Sequence, residues 1–527
     1  MKVLITDNLS EAAVEILNDA DGIECVVDHK ISPEDLKNSI NDFSAIALRS
    51  RTKITVDLLD GATTLKVVGR AGTGVDNIDV NEATSKGVVV MNTPGGNTIT
   101  TAEHAVSMIM ALSRNIPQAT ASMKAGKWEK KQFQGTELTD KTLGILGVGN
   151  IGAVVANRAQ GLKMHVISYD PYISEEAAEK LGITLVTLDE LYGKSDFISI
   201  HVPLTDETKN LVNKDAFAKM KKGIKLIQCA RGGIVNEADL CEAIKDGIVS
   251  GAALDVFEEE PPPADNPLLA LDEVILTPHL GASTTEAQEK VAVAIAEQIR
   301  DYLTSGTIRN AINVPSVPAE LLVSLEPYIL LGEKLGSFQG QLLSSAIEEI
   351  TLEYTGDVVE LDVSPITIAT IKGLLSQVMD EGVNYVNASH VAKERGIKIN
   401  EVKTSRAIDF ASSVTIKVRT KDGESLVEGA LFGKKEPRIV KIDDFFLDAV
   451  PEGNILVIQN EDEAGVIGHV GTLLAENSIN IGRLHLGRKN AGDEAVSLWS
   501  IDAKLSKDIT EKLLNVPHIV SAKTVEL

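Results

Sequence analysis

Three residues able to handle protons and charge each follow a short β-rich run. Arg231 comes after KLIQCA, Glu260 ends the acidic loop after GAALDV, and His279 ends EVILTPH. A histidine beside a carboxylate is suited to moving a proton near neutral pH: imidazole titrates at about 6.5, and the carboxylate fixes its tautomer and favours the cation. A nearby arginine adds a planar fork that clamps a carboxylate and polarises a forming carbonyl. Together they fit proton removal from a hydroxyl as hydride leaves the adjacent carbon. Each also has a plainer reading: His279 as a satisfied core histidine, Arg231 as a structural ion pair, Glu260 as one of the solvated run Glu258, Glu259, Glu260.

A second group could hold the hydride acceptor. Gly147, Gly149 and Gly152 stand as G-x-G-x-x-G between the apolar run TLGIL and a helical pattern. There the first glycine permits the tight turn, the second admits a pyrophosphate to the backbone, and the third lets helix pack on strand. The triplet alone is weak, but Asp170 ends the next strand 23 residues on, where a carboxylate accepts the ribose hydroxyls. No basic side chain follows until Lys180, so NAD is favoured over its 2'-phosphorylated form. The plainer reading of Asp170 is a cap on the next turn.

These residues need elements to hold them at one edge. Residues 1 to 90 alternate β-rich runs with helical patterns, an α/β unit with a parallel sheet. Thr100 and Glu103 have capping-box spacing, which predicts a helix starting near Thr101. Six short β-branched runs between TLGIL and EVILTPH predict a doubly wound, Rossmann-type sheet, which binds ligands beyond its strands' carboxyl ends. A helix is predicted over 283–304, followed by the proline-bearing linker INVPSVPAE. A new region begins near 317, with a helical stretch at 320–338 and β-rich runs at 347–356, 412–419 and 438–443. From about 454 the order is β-α-β-β-α-β, the ferredoxin-like arrangement.

Composition narrows the function. At 527 residues the chain exceeds a single core. Its 51 basic against 76 acidic side chains, a formal charge of −25, argue against nucleic acid or an anionic membrane as partner. Cys25, Cys229 and Cys241 lack metal or disulfide spacing, so no metal is expected. Neither a leader nor a stretch of about 18 apolar residues is seen, and a cytoplasmic location is expected. Arg49, Arg51, Lys53 and Arg70 nevertheless cluster at strand ends of the first unit, with backbone and amide donors at GGN 95–97. Such a patch suits a doubly anionic substrate. The basic residues of GKKEPRIVKID at 433–443 could form another anion site, a solvated loop being the plainer reading.

The segments GRAGTGVDNID (69–79), NTPGGNTITTAEH (92–104), GILGVGNIG (144–152), ARGGIVNE (230–237), GAALDVFEEEPP (251–262) and TPHLGAST (277–284) resemble the D-isomer-specific 2-hydroxy acid dehydrogenases. Within these, the chain resembles the long branch acting on 3-phospho-D-glycerate. The resemblance implies that Arg231, Glu260 and His279 are catalytic, which singles out Glu260 from its acidic run. It implies NAD contacts at Gly147, Gly149, Asn150, Ile151, Gly152, Asp170, Pro203, Ala230, Arg231, Asp255 and His279, with Asp255 on the nicotinamide amide. Substrate contacts are expected at Arg49, Arg70, Gly72, Gly96, Asn97, Arg231 and His279.

It further implies a discontinuous, flavodoxin-like substrate domain (1–96 and 283–313) and an NAD domain (97–282). An α+β intervening domain (317–450) and a ferredoxin-like ACT domain (453–527) follow. The ACT resemblance rests on DEAG (462–465) and NSINIG (477–482), and implies that L-serine binds across paired domains through Asn460, Asp462 and Asn480. The sequence departs from the usual pattern at Glu463 and Ala464, where Arg-Pro is commoner, and at Asn460, where histidine or tyrosine is commoner. The expected activity is oxidation of 3-phosphoglycerate at the entry to serine synthesis, in a homotetramer fed back on by serine. The alternatives are a dehydrogenase of another small 2-hydroxy acid, such as glycerate, lactate or 2-hydroxyglutarate, and a non-catalytic NAD and amino-acid sensor.

Overall fold

The computed structural model describes residues 1–315, 319–379, 383–406, 409–490 and 492–527. Short apolar runs separated by helices build a first sheet of five parallel strands: β1 (Lys2–Ile5), β2 (Glu24–Val27), β3 (Ala45–Leu48), β4 (Val67–Arg70) and β5 (Val89–Met91), ordered β2-β1-β3-β4-β5. A second parallel sheet holds β6 (Thr142–Leu146), β7 (His165–Tyr169), β8 (Thr184–Leu185), β9 (Phe197–Ile200), β10 (Ile224–Gln228), β11 (Val249–Leu254) and β12 (Val274–Leu276). Its order, β12-β11-β10-β9-β6-β7-β8, reverses between β6 and β9, the place where open sheets bind ligands. The two-residue edge strand β8 is too short to show alternation in sequence.

The chain crosses between these lobes twice. After β5 it enters the helix Thr98–Arg114, whose Ala102, Ala105, Ile109 and Leu112 pack into the second lobe's core. This helix starts three residues before the predicted Thr101. The carbonyl of Asn97 already accepts the Thr101 N–H at 3.0 Å, and no side chain caps it. The hydroxyl of Thr100 instead meets that of Thr284 at 3.3 Å, on the returning segment. The helix Thr285–Ser305 then packs Val291, Ile295 and Ile299 onto the first sheet. A Cβ on Gly69 would lie 2.7 Å from both isoleucine side chains, so glycine sets the closeness of that contact.

Part of the predicted linker, 316–318, including the expected boundary at 317, lies outside the described residues. Beyond it stand six strands: β13 (Ile347–Gly356), β14 (Lys398–Thr404), β15 (Ser412–Thr420), β16 (Gly423–Phe432), β17 (Glu436–Ile442) and β18 (Phe445–Ala449). Against them pack the helices Ala319–Leu342 and Ser364–Val378. Sequence reading missed the second helix because SPITIATIKGLLSQV is apolar almost all round and has no polar face to mark a period. The helices touch backbone to backbone: a Cβ on Gly336 would lie 2.1 Å from the Thr370 carbonyl oxygen.

The last unit has β19 (Asn454–Glu461), β20 (Ile481–Arg488), β21 (Glu494–Ile501) and β22 (Ile519–Glu526), antiparallel in the order β20-β21-β19-β22. One face buries Leu456, Ile458 and Trp499 with its own two helices. The other buries Ile455, Val496, Leu498 and Val525 in the core of the preceding sheet. The last two units therefore share one core. Among the described residues no helix is long and apolar enough to cross a membrane.

Candidate active site

Loops after β4, β9, β10 and β11 and the turn after β12 meet at a cleft of about 380 Å³ between the first two lobes. On its nucleotide side two of the three glycines are sterically required. Gly147 has φ +89°, and a Cβ there would lie 2.8 Å from Val202 and 3.0 Å from the His201 carbonyl oxygen. A Cβ on Gly152 would lie 2.1 Å from the Gly147 oxygen, whereas one on Gly149 would meet only open space. Asn150 opens the helix Asn150–Gly161, which no side chain caps, so its first amides stay open to a phosphate. Asp170 accepts the N–H of Val148 at 2.7 Å and that of Tyr172 at 2.9 Å. It thus ties the glycine turn to the end of β7 and keeps spare acceptor capacity on each oxygen. Ile151, Pro203 and Ala230 line the cleft, so the residues present fit a dinucleotide.

His279 stands at φ +53°, a left-handed conformation that a non-glycine residue keeps only where neighbours enforce it. Its N–H donates to the Asp255 carbonyl at 2.9 Å, and its Nδ1 lies 2.7 Å from Glu260 Oε2. The hydrogen bond that His279 donates to Glu260 raises the imidazole pKa above its ordinary value, against the opposing effect of burial. Burial works against ionising Glu260, but the hydrogen bond and charge of His279 prevail and lower its carboxyl pKa. Its Oε1 also accepts the Phe257 N–H at 3.2 Å, which orients it.

Arg231 lines the same cleft as His279, and its charge acts on that imidazole. Its Nε is 3.2 Å from Asp76 Oδ2 on the first lobe, and its Nη1 donates to its neighbour Ala230 at 2.8 Å. A Cβ on Gly74 would fall 2.1 Å from Arg231 Nη2, so a side chain there would displace the guanidinium from its present position. Arg70 donates to the Gly74 carbonyl and, at 3.2 Å, to Ser50 Oγ. Its burial, then the charges of Arg231 and Arg49, lower its pKa while Asp76 opposes them.

The expected basic patch is divided. Arg70 is close enough to Arg231 and Arg49 to feel their charges, but Asp7 binds Arg51 Nε at 3.0 Å, and Arg51 and Lys53 line a separate depression beside Leu36. Gly72 donates to Thr93 Oγ1 at 2.9 Å. A Cβ on Gly96 would lie 2.4 Å from Val291, a packing constraint. Asn97 lines the cleft and accepts from Thr73 Oγ1 at 2.8 Å.

Sequence reasoning missed Asp76, His104 and His201. His201 at the end of β9 contacts Ser199 Oγ at 2.8 Å, and burial pushes its pKa down to about 4, so it stays neutral. Its place at the carboxyl end of a strand next to the order reversal was the available signal.

In the last unit the three expected serine residues do not converge. Asn460 is buried and donates to the Glu461 carbonyl at 2.7 Å, while Asp462 holds Arg488 Nη1 at 3.1 Å and the Gly492 N–H at 3.2 Å. Asn480 donates to Asp502 at 3.1 Å. The register aligns Arg488 with Asn460 across Ala495, and Ile481 with Asn454 across Ile501. Asn480 therefore sits at the opposite end of the sheet from Asn460 and Asp462.

The family model described as "D-isomer specific 2-hydroxyacid dehydrogenase, NAD binding domain" matches residues 106–281, and "D-3-phosphoglycerate dehydrogenase intervening domain" matches 324–443. The D-3-phosphoglycerate dehydrogenase of Bacillus subtilis is 43% identical, over 100% of this chain and 99% of that one. The chain belongs to the D-3-phosphoglycerate dehydrogenase family. A Synechocystis member is 44% identical over 100% of this chain and 95% of its own. Among solved structures, an NAD-dependent formate dehydrogenase from Staphylococcus aureus in complex with NAD aligns at TM-score 0.54 and 30% identity, covering 60% of this chain and 100% of that one. This member of the family is an NAD-dependent dehydrogenase, and its glycine turn lies within the matched NAD-binding domain.

Proposed function

We propose that the chain oxidises 3-phospho-D-glycerate to 3-phosphohydroxypyruvate as the entry step of L-serine synthesis. The observation that carries this reading is the His279–Glu260 pair at 2.7 Å in one cleft with Arg231, beside the further cations Arg49 and Arg70. The relatives' shared name supports the substrate.

In this reading the substrate lobe is 1–96 with 283–313, the NAD lobe is 97–282, and closure of the cleft excludes water. Arg231 exchanges Asp76 for the substrate carboxylate and polarises the forming carbonyl. Arg49 and Arg70 hold the phosphate. Glu260 occupies Nδ1, so His279 takes the hydroxyl proton at Nε2, and Glu260 stabilises the resulting imidazolium. NAD bound against Gly147–Gly152 and Asp170 supplies the hydride acceptor, and Asp255, at the base of the same cleft, serves the nicotinamide end.

L-serine as feedback effector requires two chains. With Asn480 at the far end of the sheet, a pocket that also uses Asn460 and Asp462 forms only across paired units of a homotetramer. Steady-state NADH production with 3-phosphoglycerate, glycerate, lactate and 2-hydroxyglutarate, with and without L-serine, tests the whole reading. A preference for an unphosphorylated acid would overturn the substrate.

A further inference from the structure

Both crossings between the lobes pass one buried carboxylate. Asp255 is 1% exposed and accepts from Thr277 Oγ1 at 2.6 Å, the Leu280 N–H at 2.7 Å and the Gly281 N–H at 2.8 Å. Its remaining partner comes from the other crossing: His104, on the helix Thr98–Arg114, places Nε2 at 3.2 Å from Asp255 Oδ1 and 3.3 Å from Thr277 Oγ1. Burial opposes the charge on Asp255, but these donors outweigh it and lower its pKa. An ionised Asp255 can only accept, and the single hydroxyl proton of Thr277 is already given to it. Both contacts of His104 therefore require a proton on Nε2.

We propose that His104 is a positioning residue for the proton transfer. Through Asp255 it pins the segment Thr277–Gly281 to the helix that follows the first crossing, and so keeps His279 against Glu260 as the lobes move. His279 depends on this pin because its own N–H is held by the Asp255 carbonyl and its left-handed backbone needs enforcement. The argument rests on His279 as the base. The charged groups facing that ring are Glu260, Asp255 and Arg231, and of these the Glu260 hydrogen bond contributes most to its raised pKa. A loosened segment therefore lets the imidazole pKa fall toward its ordinary value.

The test compares His104→Leu with His104→Gln in the full chain. Glutamine offers an N–H at similar reach and does not titrate. The leucine variant is expected to lose about tenfold in kcat, a misplacement of about 1 Å being able to cost about 10²-fold. The acidic limb of its kcat/KM profile should move to lower pH, and hydrogen exchange at the His279, Leu280 and Gly281 amides should quicken. Glutamine should recover most of each change. Should leucine prevent folding, Thr277→Val removes the neighbouring donor with little change of shape and is expected to shift the same limb and the same amides. A folded leucine variant with an unmoved limb and unchanged exchange overturns the proposal, as does glutamine failing to rescue. Failure of the base assignment would appear separately, as retained turnover in His279→Ala, and leaves the exchange readout intact.

Discussion

The cleft between the first two lobes and the terminal sheet both take their candidate residues from strand ends, and the structure treats them oppositely. Arg231, Asp255 and His279 meet in one cleft although they are spread over nearly fifty residues of sequence. Asn460, Asp462 and Asn480 span about twenty residues and lie at opposite ends of their sheet. The difference is which end of its strand each residue occupies. In a parallel sheet every carboxyl end faces the same edge, so motifs that follow strands converge whatever their spacing. In the antiparallel unit Asn460 ends β19 while Asn480 precedes β20, which runs the same way two positions across, so the two residues separate by a strand length.

The strongest challenge to convergence in the cleft is His279→Ala, expected to lower kcat by roughly 10²- to 10⁴-fold while NADH binding stays near normal. Fluorescence titration beside turnover measures both, and near-normal turnover at neutral pH would remove His279 from the role of base. Glu260→Gln sharpens the same point through pH. Glu260 raises the His279 pKa, and the base works deprotonated, so the rise of kcat/KM with pH should begin at lower pH in this variant, with reduced kcat. A limb that stays in place would mean that Glu260 does not set the titration.

Asp170→Ala tests the nucleotide edge of the same cleft. NAD affinity should fall much more than 3-phosphoglycerate affinity, and discrimination against NADP should relax with loss of the carboxylate. Unchanged NAD affinity would reduce Asp170 to its bonds with Val148 and Tyr172. Arg49→Ala should raise KM for the phosphorylated substrate about tenfold, in keeping with a lost charge-assisted hydrogen bond, and should barely alter glycerate. Equal effects on both substrates would assign Arg49 to structure.

The smallest expected effect lies in the terminal sheet, where coupling between sites is worth roughly 1–3 kcal/mol. Asp462→Ala and Asn480→Ala should each shift the serine inhibition curve to higher concentration. Mixed oligomers of the two variants should regain part of the response, because one pairing out of the two combines intact residues from both chains. Mixing without any recovery would show that serine is not held between these two positions.

The catalytic edge was legible because its signals are local. A glycine triplet after an apolar run, a carboxylate at the next strand end and a histidine closing a β-branched run each report backbone geometry within a few residues. The largely apolar helix Ser364–Val378 and the exposed edge strand β14 carry no such period in the sequence. The basic cluster of the first lobe was read as one patch because sequence shows charge without partners. Asp7, more than forty residues away, claims Arg51, while Arg70 stays within reach of the charges of Arg231 and Arg49.

By itself the sequence determined the succession of units, the parallel character of the first two sheets and the residue types at their carboxyl ends, since propensity, period and turn chemistry act over short distances. Only the tertiary structure decided which charges pair. Asp76 on Arg231 and His104 on Asp255 are meetings between separate elements. It also decided that the last two sheets share a core and that Asn480 lies away from Asn460 and Asp462. Such pairings follow from strand order and register, which depend on how all the apolar faces are buried together.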